Sequence, residues 1–158
     1  MTSDKIKSLA EATQQVKAWQ ATGQKVVFTN GCFDLLHLGH VDYLENARNL
    51  GDKLIIGLNS DSSVSRFKGP ERPLQDQNSR ARVLAALQFV DLVVFFNEDT
   101  PLELISQLLP NVLVKGSDYL AENIVGADVV KKNGGVVKTI DFVPGYSTTR
   151  IVEKIKRT

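Results

Sequence analysis

The sequence predicts an α/β fold, a single domain built on a doubly wound parallel sheet of five strands. Three observations predict it. Short apolar runs such as Leu54-Ile55-Ile56 and Leu92-Val93-Val94-Phe95-Phe96 do not alternate with polar residues, as expected of strands covered on both faces. Segments with helical spacing and capping signals lie between these runs throughout the chain. The chain has 158 residues, the size of one domain with a sound core.

The elements follow in order. Ser8 and Glu11 form a capping box, and Leu9, Val16 and Trp19 mark one face of a first helix that ends before Gly23. Residues 1–23 are thus expected as an N-terminal helical segment packed on a domain of residues 24–158. Strands are expected at about residues 25–30, 53–58, 91–96, 112–115 and 135–140, with helices at about 38–50, 77–89, 101–109 and 121–132. Val41, Leu44, Ala47 and Leu50 recur at helical spacing and stop at Gly51. Thr100-Pro101-Leu102-Glu103 reads as a second capping box with proline at the first helical position. A last helix starts near Thr148 and carries Ile151, Val152 and Ile155. Arg66-Phe67-Lys68-Gly69-Pro70 falls in a loop beyond the second strand. Gly57, inside a strand, marks a close backbone approach, and Cys32 and Trp19 read as packing residues.

Bulk composition excludes several classes. Net charge is +1 with both signs interspersed, which argues against a nucleic-acid groove or a membrane surface. One cysteine cannot form an internal disulfide, in keeping with a reducing compartment. No run approaches the ~18 apolar residues of a membrane span, and the polar N-terminus lacks a signal-peptide core. A cytoplasmic protein is expected.

The chain has two histidines, His37 and His40, in His37-Leu38-Gly39-His40. They fall where the first strand hands over to a helix. Sheets of this kind place their chemistry at strand carboxyl ends, and a helix start offers free N–H groups to an anion. Residues three apart there face the same side. Gly39, without a side chain, would let a phosphate approach the backbone. Two neutral-to-cationic donors so placed can grip a phosphate whose charge grows during reaction. The competing readings are a surface pair beside a turn and a metal pair. A zinc site would need carboxylates for its remaining ligands, so direct metal ligation is not expected.

Gly31-Cys32-Phe33-Asp34-Leu35-Leu36-His37-Leu38-Gly39-His40 resembles the G-x-F-D-x-x-H-x-G-H signature of the H-x-G-H nucleotidyltransferases, the cytidylyltransferase-like superfamily. Lys68-Gly69-Pro70, Arg72-Pro73, Val114-Lys115-Gly116-Ser117-Asp118-Tyr119 and Gly145-Tyr146-Ser147-Thr148-Thr149 match the same superfamily in the same order. The resemblance covers about residues 25–155. Within it the chain most resembles the bacterial D-glycero-β-D-manno-heptose 1-phosphate adenylyltransferase domain, which is often fused to a sugar kinase. The resemblance implies a Rossmann-like sheet of strand order 3-2-1-4-5. Glycerol-phosphate members begin their last motif with a basic residue, and Phe142 stands there in this chain.

Nucleotidyl transfer needs a phosphate oxygen to attack the α-phosphorus of a nucleoside triphosphate. The attacking phosphate is already anionic near neutral pH, so no strong base is required. The site must align two repelling anions and absorb charge on the pentavalent centre. The resemblance implies His37, His40 and Lys68 for that role, with a solvated surface lysine as the other reading of Lys68. Asn30, Gly31, Phe33, Asp34 and Gly39 would line the nucleotide. Asp34 would orient a donor or hold a magnesium shell through water, or be an Asx-turn residue. Lys115 ends the fourth strand, as a nucleotide contact or as a core-edge lysine, with Gly116 beside it. Asp118 follows, where the resemblance would put the ribose, or is a loop carboxylate. Tyr146, Ser147, Thr148 and Thr149 open the last helix, as a phosphate seat, as caps, or as both. Asn59 and Asp61, at the second strand's end, and Arg72 are candidates for the acceptor. Arg80 and Arg82 fall in a helix and read as surface or salt-bridged.

The resulting expectation is a Mg²⁺-dependent nucleotidyltransferase. It would join ATP to a sugar 1-phosphate, best D-glycero-β-D-manno-heptose 1-phosphate, giving ADP-heptose for the lipopolysaccharide core. The metal would come with ATP. A homodimer and pairing with a separate sugar kinase are the partners the resemblance admits. The alternatives are a cytidylyltransferase acting on glycerol 3-phosphate or another polyol phosphate, and a non-catalytic nucleotide-binding module.

Overall fold

In the computed structural model, which describes residues 1–158, the five apolar runs become β1 (Val26–Gly31), β2 (Lys53–Asn59), β3 (Leu92–Phe96), β4 (Val112–Gly116) and β5 (Val136–Ile140). All pair in parallel in the order β3-β2-β1-β4-β5, the order the resemblance implied. Helices α1 (Leu9–Ala21), α2 (Leu38–Arg48), α3 (Asp61–Lys68), α4 (Gln77–Ala86), α5 (Leu102–Leu108), α6 (Ala127–Lys132) and α7 (Thr148–Arg157) connect and flank them.

Successive strand residues point to opposite faces, and this sorts the core into two layers. Val26, Phe28, Ile55, Val94 and Leu113 pack with Ala12 and Val16 of α1 and Leu104, Ile105 and Leu108 of α5. Val27, Leu54, Ile56, Leu58 and Val93 pack with Tyr43, Leu44 and Ala47 of α2 and Ala81, Leu84 and Ala85 of α4. Each layer supplies the cover that the unbroken apolar runs require. β5 departs from this rule. It is an edge strand whose residues are exposed or partly exposed, Val136 and Lys138-Thr139 among them.

The α1 capping box is formed as expected, with Ser8 Oγ accepting from Glu11 N–H at 3.2 Å and Glu11 accepting from Ser8 N–H at 2.8 Å. The chain before it lies along β3, with Lys7 N–H donating to Val93 O. Two expectations are corrected. Residues 61–68 are helix and not loop, because Ser60 caps them by accepting from Ser63 N–H. The run is short and polar and buries only Ser63 and Val64, so it offers few apolar residues to mark a helix. Pro101 is the cap residue of α5 and not its first helical residue. Thr100 Oγ1 lies 3.5 Å from Leu102 N, too far for a strong cap. The apolar positions of α7 stay at the surface, Ile155 being 63% exposed, and no α7 residue is buried.

β1 and β4 are neighbours where the winding reverses, so a crevice opens beyond their carboxyl ends. Gly57 of β2 holds the close approach its position suggested. A Cβ there would meet the Phe28 ring at 2.7 Å and Leu104 Cδ2 at 3.0 Å. Neither neighbour can retreat, since both belong to the packed layer. Gly57→Ala is therefore expected to lower stability by about 1–3 kcal/mol. Chemical denaturation would show it as a lower midpoint at unchanged slope, and an unchanged midpoint would refute the packing argument.

Candidate active site

The site grows from the end of β1. Asn30 and Gly31 finish the strand, and the chain turns at Phe33, whose φ of 47° is left-handed. Such a backbone costs energy in a non-glycine residue. It is held here because the Phe33 ring is buried and meets His40 edge-on at 5.3 Å. A Cβ on Gly31 would strike that ring at 2.9 Å. Asp34, 4% exposed, then latches the turn to a second segment. One carboxylate oxygen accepts from Leu74 N–H at 2.8 Å and from Arg72 at 3.3 Å, and the other from Gln75 N–H at 2.9 Å. Gln75 also donates to the Asp34 carbonyl.

His37 caps α2 by position and His40 lies one turn in. Their rings stack at 3.8 Å between centroids. A Cβ on Gly39 would lie 3.0 Å from the His37 ring and 3.3 Å from Tyr146 Cβ, so the missing side chain makes room for the imidazole. Both histidine Nδ1 atoms are buried without a partner. Burial, then the neighbouring His37, push His40 down to about 4, and burial lowers His37 as well. Near neutral pH both are uncharged imidazoles with one N–H apiece, and the Leu35 backbone beside His40 opposes part of its shift. The neutral-to-cationic expectation narrows to neutral in the free protein.

Opposite the histidines stands the start of α7. Ser147 caps it, accepting from Arg150 N–H at 3.1 Å. A cavity of about 350 Å³ separates the two, lined by His37, Gly39, His40, Tyr146, Ser147 and Thr148 with Phe142. Thr149 is exposed and lines neither this cavity nor the next. A second cavity of about 190 Å³ adjoins it through His40, Phe142 and Thr148. It collects Asn30, Gly31, Phe33, Asp34, Lys68, Lys115, Gly116 and Asp118. Phe142 stacks on Tyr43 at 5.8 Å and lies so close to Gly116 that no Cβ fits there. Tyr43 shares a 2.8 Å hydrogen bond with Thr29, and its burial pushes its hydroxyl up to about 12. Lys68, the last residue of α3, has no hydrogen-bond partner and reaches the cavity beside Cys32.

The acceptor candidates separate. Asp61 accepts from Arg80 at 2.7 Å and Arg72 pairs with Asp34, so both are engaged in holding the floor. Asn59, 5% exposed, lines a third cavity of about 350 Å³ over β2, β3 and β4. Sequence reasoning missed most of this cavity, including Phe67, Phe96, Asp99, Tyr119 and Asn123, because it is assembled from four separate segments. It also underrated Arg80, which is salt-bridged as expected yet buried. The guanidinium donates to the carbonyls of Cys32 at 2.8 Å, Asn59 at 2.9 Å and Gln75 at 3.0 Å. Its signal was position, since Arg80 shares the buried face of α4 with Ala81, Leu84 and Ala85. No group of three or more His, Cys, Asp and Glu side chains converges on one point. The Asp34 oxygens are taken by donors, so these residues do not make a metal cage.

The cytidylyltransferase-like family model matches residues 28–154. The chain is 61% identical to the bifunctional protein HldE of Magnetococcus marinus over 97% of its own length and 31% of that protein's. Against the bifunctional protein HldE of Geotalea uraniireducens the identity is 58%, over 96% and 31%. The chain thus spans about a third of the length of these curated relatives. The solved structure of a lipopolysaccharide core biosynthesis protein from Thermoplasma volcanium superposes with a TM-score of 0.61 at 30% identity, covering 77% of this chain and 98% of that one. A pantoate-beta-alanine ligase from Francisella tularensis, complexed with beta-gamma ATP and beta-alanine, gives 0.59 at 15% identity over 97% and 78%, a likeness of fold alone.

Between pH 6.5 and about 4 the unfolded chain takes up a proton at His40 that the folded protein excludes. Stability is therefore expected to fall as pH falls through that window. His40→Gln should flatten this part of a thermal-midpoint profile against pH. Coincident profiles for the two proteins would show that His40 is not held neutral.

Proposed function

Because the chain belongs to the cytidylyltransferase-like family, we propose that it transfers AMP from ATP to a sugar 1-phosphate, with D-glycero-β-D-manno-heptose 1-phosphate the preferred acceptor. The products are ADP-heptose and pyrophosphate, and the setting is cytoplasmic supply of the lipopolysaccharide core. The observation that carries this reading is the pair of stacked, neutral histidines facing the capped start of α7 across one cavity. That cavity offers N–H and O–H donors from both walls and no carboxylate.

An acceptor phosphate oxygen forms the new bond to the α-phosphorus. The bond from that phosphorus to the α,β-bridging oxygen breaks, and pyrophosphate leaves with its electron pair. No proton need be removed, since a phosphate monoester has lost both protons around neutral pH. The protein's work is alignment and charge stabilisation. His37 and His40 donate to the nucleotide phosphates, and the arriving anions raise their affinity for protons. Ser147, Thr148 and the free N–H groups of α7 seat the triphosphate. Lys68 adds a positive charge. Asn30, Gly31, Phe33, Asp34, Gly39, Gly116, Asp118 and Tyr146 frame the nucleotide, with Asp118 toward the ribose. Mg²⁺ would come bound to the triphosphate, with no direct protein ligand, and would supply neutralisation of phosphate charge. No helix is long and apolar enough to cross a membrane.

The resemblance to the heptose 1-phosphate adenylyltransferase domain supports pairing with a sugar kinase that makes the 1-phosphate, and the relatives are named bifunctional and extend well beyond the length of this chain. A homodimer fits the exposed edge strand and α7 without following from them.

Pyrophosphate release in a matrix of ATP and CTP against heptose 1-phosphate and glycerol 3-phosphate tests the reading. ATP with heptose 1-phosphate should dominate by ~10²-fold or more, the scale at which unpaired polar groups reject a wrong base. Dominant CDP-glycerol would move the protein to cytidylyl transfer, and nucleotide binding without turnover would make it a binding module. His40→Ala should lower kcat by on the order of 10²-fold while leaving the fold intact at pH 7. Near-normal turnover would remove the histidine from the mechanism.

A further inference from the structure

Among the buried and partly buried charged side chains that line the crevice, Lys115 is the one least well compensated. Asp34, Arg72 and Asp61 are ion-paired, and Arg80 gives hydrogen bonds to three carbonyls and one carboxylate. Lys115 is partly buried at the end of β4, makes no ion pair, and gives one long hydrogen bond of 3.4 Å to the Asn30 carbonyl. The Tyr119 ring lies 5.5 Å from its ammonium. Taking a charge out of water without a partner is unfavourable. Burial lowers its affinity for a proton, and Asp118 and Cys32 only partly offset that. The arrangement suits an anion that is yet to arrive.

Its location says which anion. The 190 Å³ cavity beside the histidines and the 350 Å³ cavity over β2–β4 share four wall residues: Asn30, Gly31, Lys115 and Tyr119. Lys115 is the only cation on both walls, and the only one on the larger. The larger cavity otherwise mixes Asn59, Asp99 and Asn123 with Phe67, Phe96 and Tyr119. Amides and a carboxylate for hydroxyls, with flat apolar faces beside them, match a polyhydroxylated ring. Asn30, which borders both cavities, has its Oδ1 buried without a donor, and an unpaired buried acceptor is costly until a ligand supplies one.

We propose that Lys115 binds the phosphate of the acceptor, with the sugar in the cavity over β2–β4 and a sugar hydroxyl donating to Asn30 Oδ1. This rests on the nucleotidyltransferase reading above and moves Lys115 and the Asn30 side chain from the nucleotide's partners to the acceptor's. The ammonium sits at the passage between the cavities, where the attacking phosphate must come within reach of the α-phosphorus. There it reduces the repulsion between the two anions at the moment of approach.

The test compares wild type, Lys115→Gln and Lys115→Arg by pyrophosphate release with ATP and heptose 1-phosphate, and by equilibrium binding of the α,β-methylene analogue of ATP. Lys115→Gln should raise the acceptor KM roughly tenfold or more, the scale of a lost charged hydrogen bond. Analogue binding should stay within about threefold. Lys115→Arg should recover part of the acceptor KM, and the Tm of Lys115→Gln should not fall, since a poorly compensated charge is removed. Weaker analogue binding in step with the acceptor KM would assign Lys115 to the nucleotide and overturn the proposal. So would an unchanged acceptor KM, or a Tm drop with no kinetic split. A wild-type protein that releases no pyrophosphate with any sugar or polyol phosphate would overturn the functional reading, and this assignment with it.

Discussion

The crevice depends on one buried guanidinium. Strand ends in an open α/β sheet leave carbonyls with no partner strand beyond them, and those carbonyls must be satisfied if the ends are to be dry and rigid. Arg80, 1% exposed, satisfies three at once, at Cys32, Asn59 and Gln75, and neutralises its charge on Asp61. It thereby fastens the ends of β1 and β2 to α3, α4 and the segment that leads into α4. Asp34 closes the same junction from the other side with the backbone of Leu74 and Gln75. An arginine suits the task because its planar fork reaches several acceptors at fixed angles. The floor is held by protein groups, so ligand-facing groups need not also serve as struts.

That division of labour explains which parts of the site could be read from sequence. The histidine pair and the Ser147-Thr148 helix start were visible because each is local. Residues three apart on a helix start share a face, and a hydroxyl before a helix caps it, whatever the rest of the fold does. The strands were visible because unbroken apolar runs have few other uses. The strand order was not local, and it came from the resemblance. Asp34, Asp61 and Arg72 have side chains equally suited to ligands and to struts. Only the partners 19 to 41 residues away decide between these uses. The same holds for Arg80, whose partners reach 48 residues back to Cys32. Helix α3 escaped because it is short and buries only a serine and a valine, so few apolar residues mark it.

Phe142 illustrates a residue whose meaning changed once its neighbours were known. Read along the chain, it is a missing basic residue. In the fold it is a wall, stacked on Tyr43 and pressed against Gly116. Its ring is 52% exposed in the free protein and borders the cavities on both sides of Thr148. A nucleoside entering there would cover an apolar face that water now touches, a favourable term that a charged side chain could not supply.

The electrostatics of the crevice follow from the same desolvation. Burial keeps His37 and His40 neutral and pushes Lys115 toward losing its proton. Each would be better satisfied by an anion than by water-poor protein surface. In the proposed reaction a triphosphate and a sugar phosphate would together bring several negative charges into this space. The histidines and Lys115 would be relieved by their arrival, and relieved most where negative charge accumulates between them, while Asn30 Oδ1 would need a donor. Interactions that strengthen as charge builds lower a barrier, whereas interactions already complete in the free protein do not. The Asp34 and Arg80 networks are complete without ligand, and the histidines, Lys115 and the Asn30 side-chain oxygen are not. The line between scaffold and chemistry in this protein therefore runs between polar groups that already have partners and polar groups that lack them.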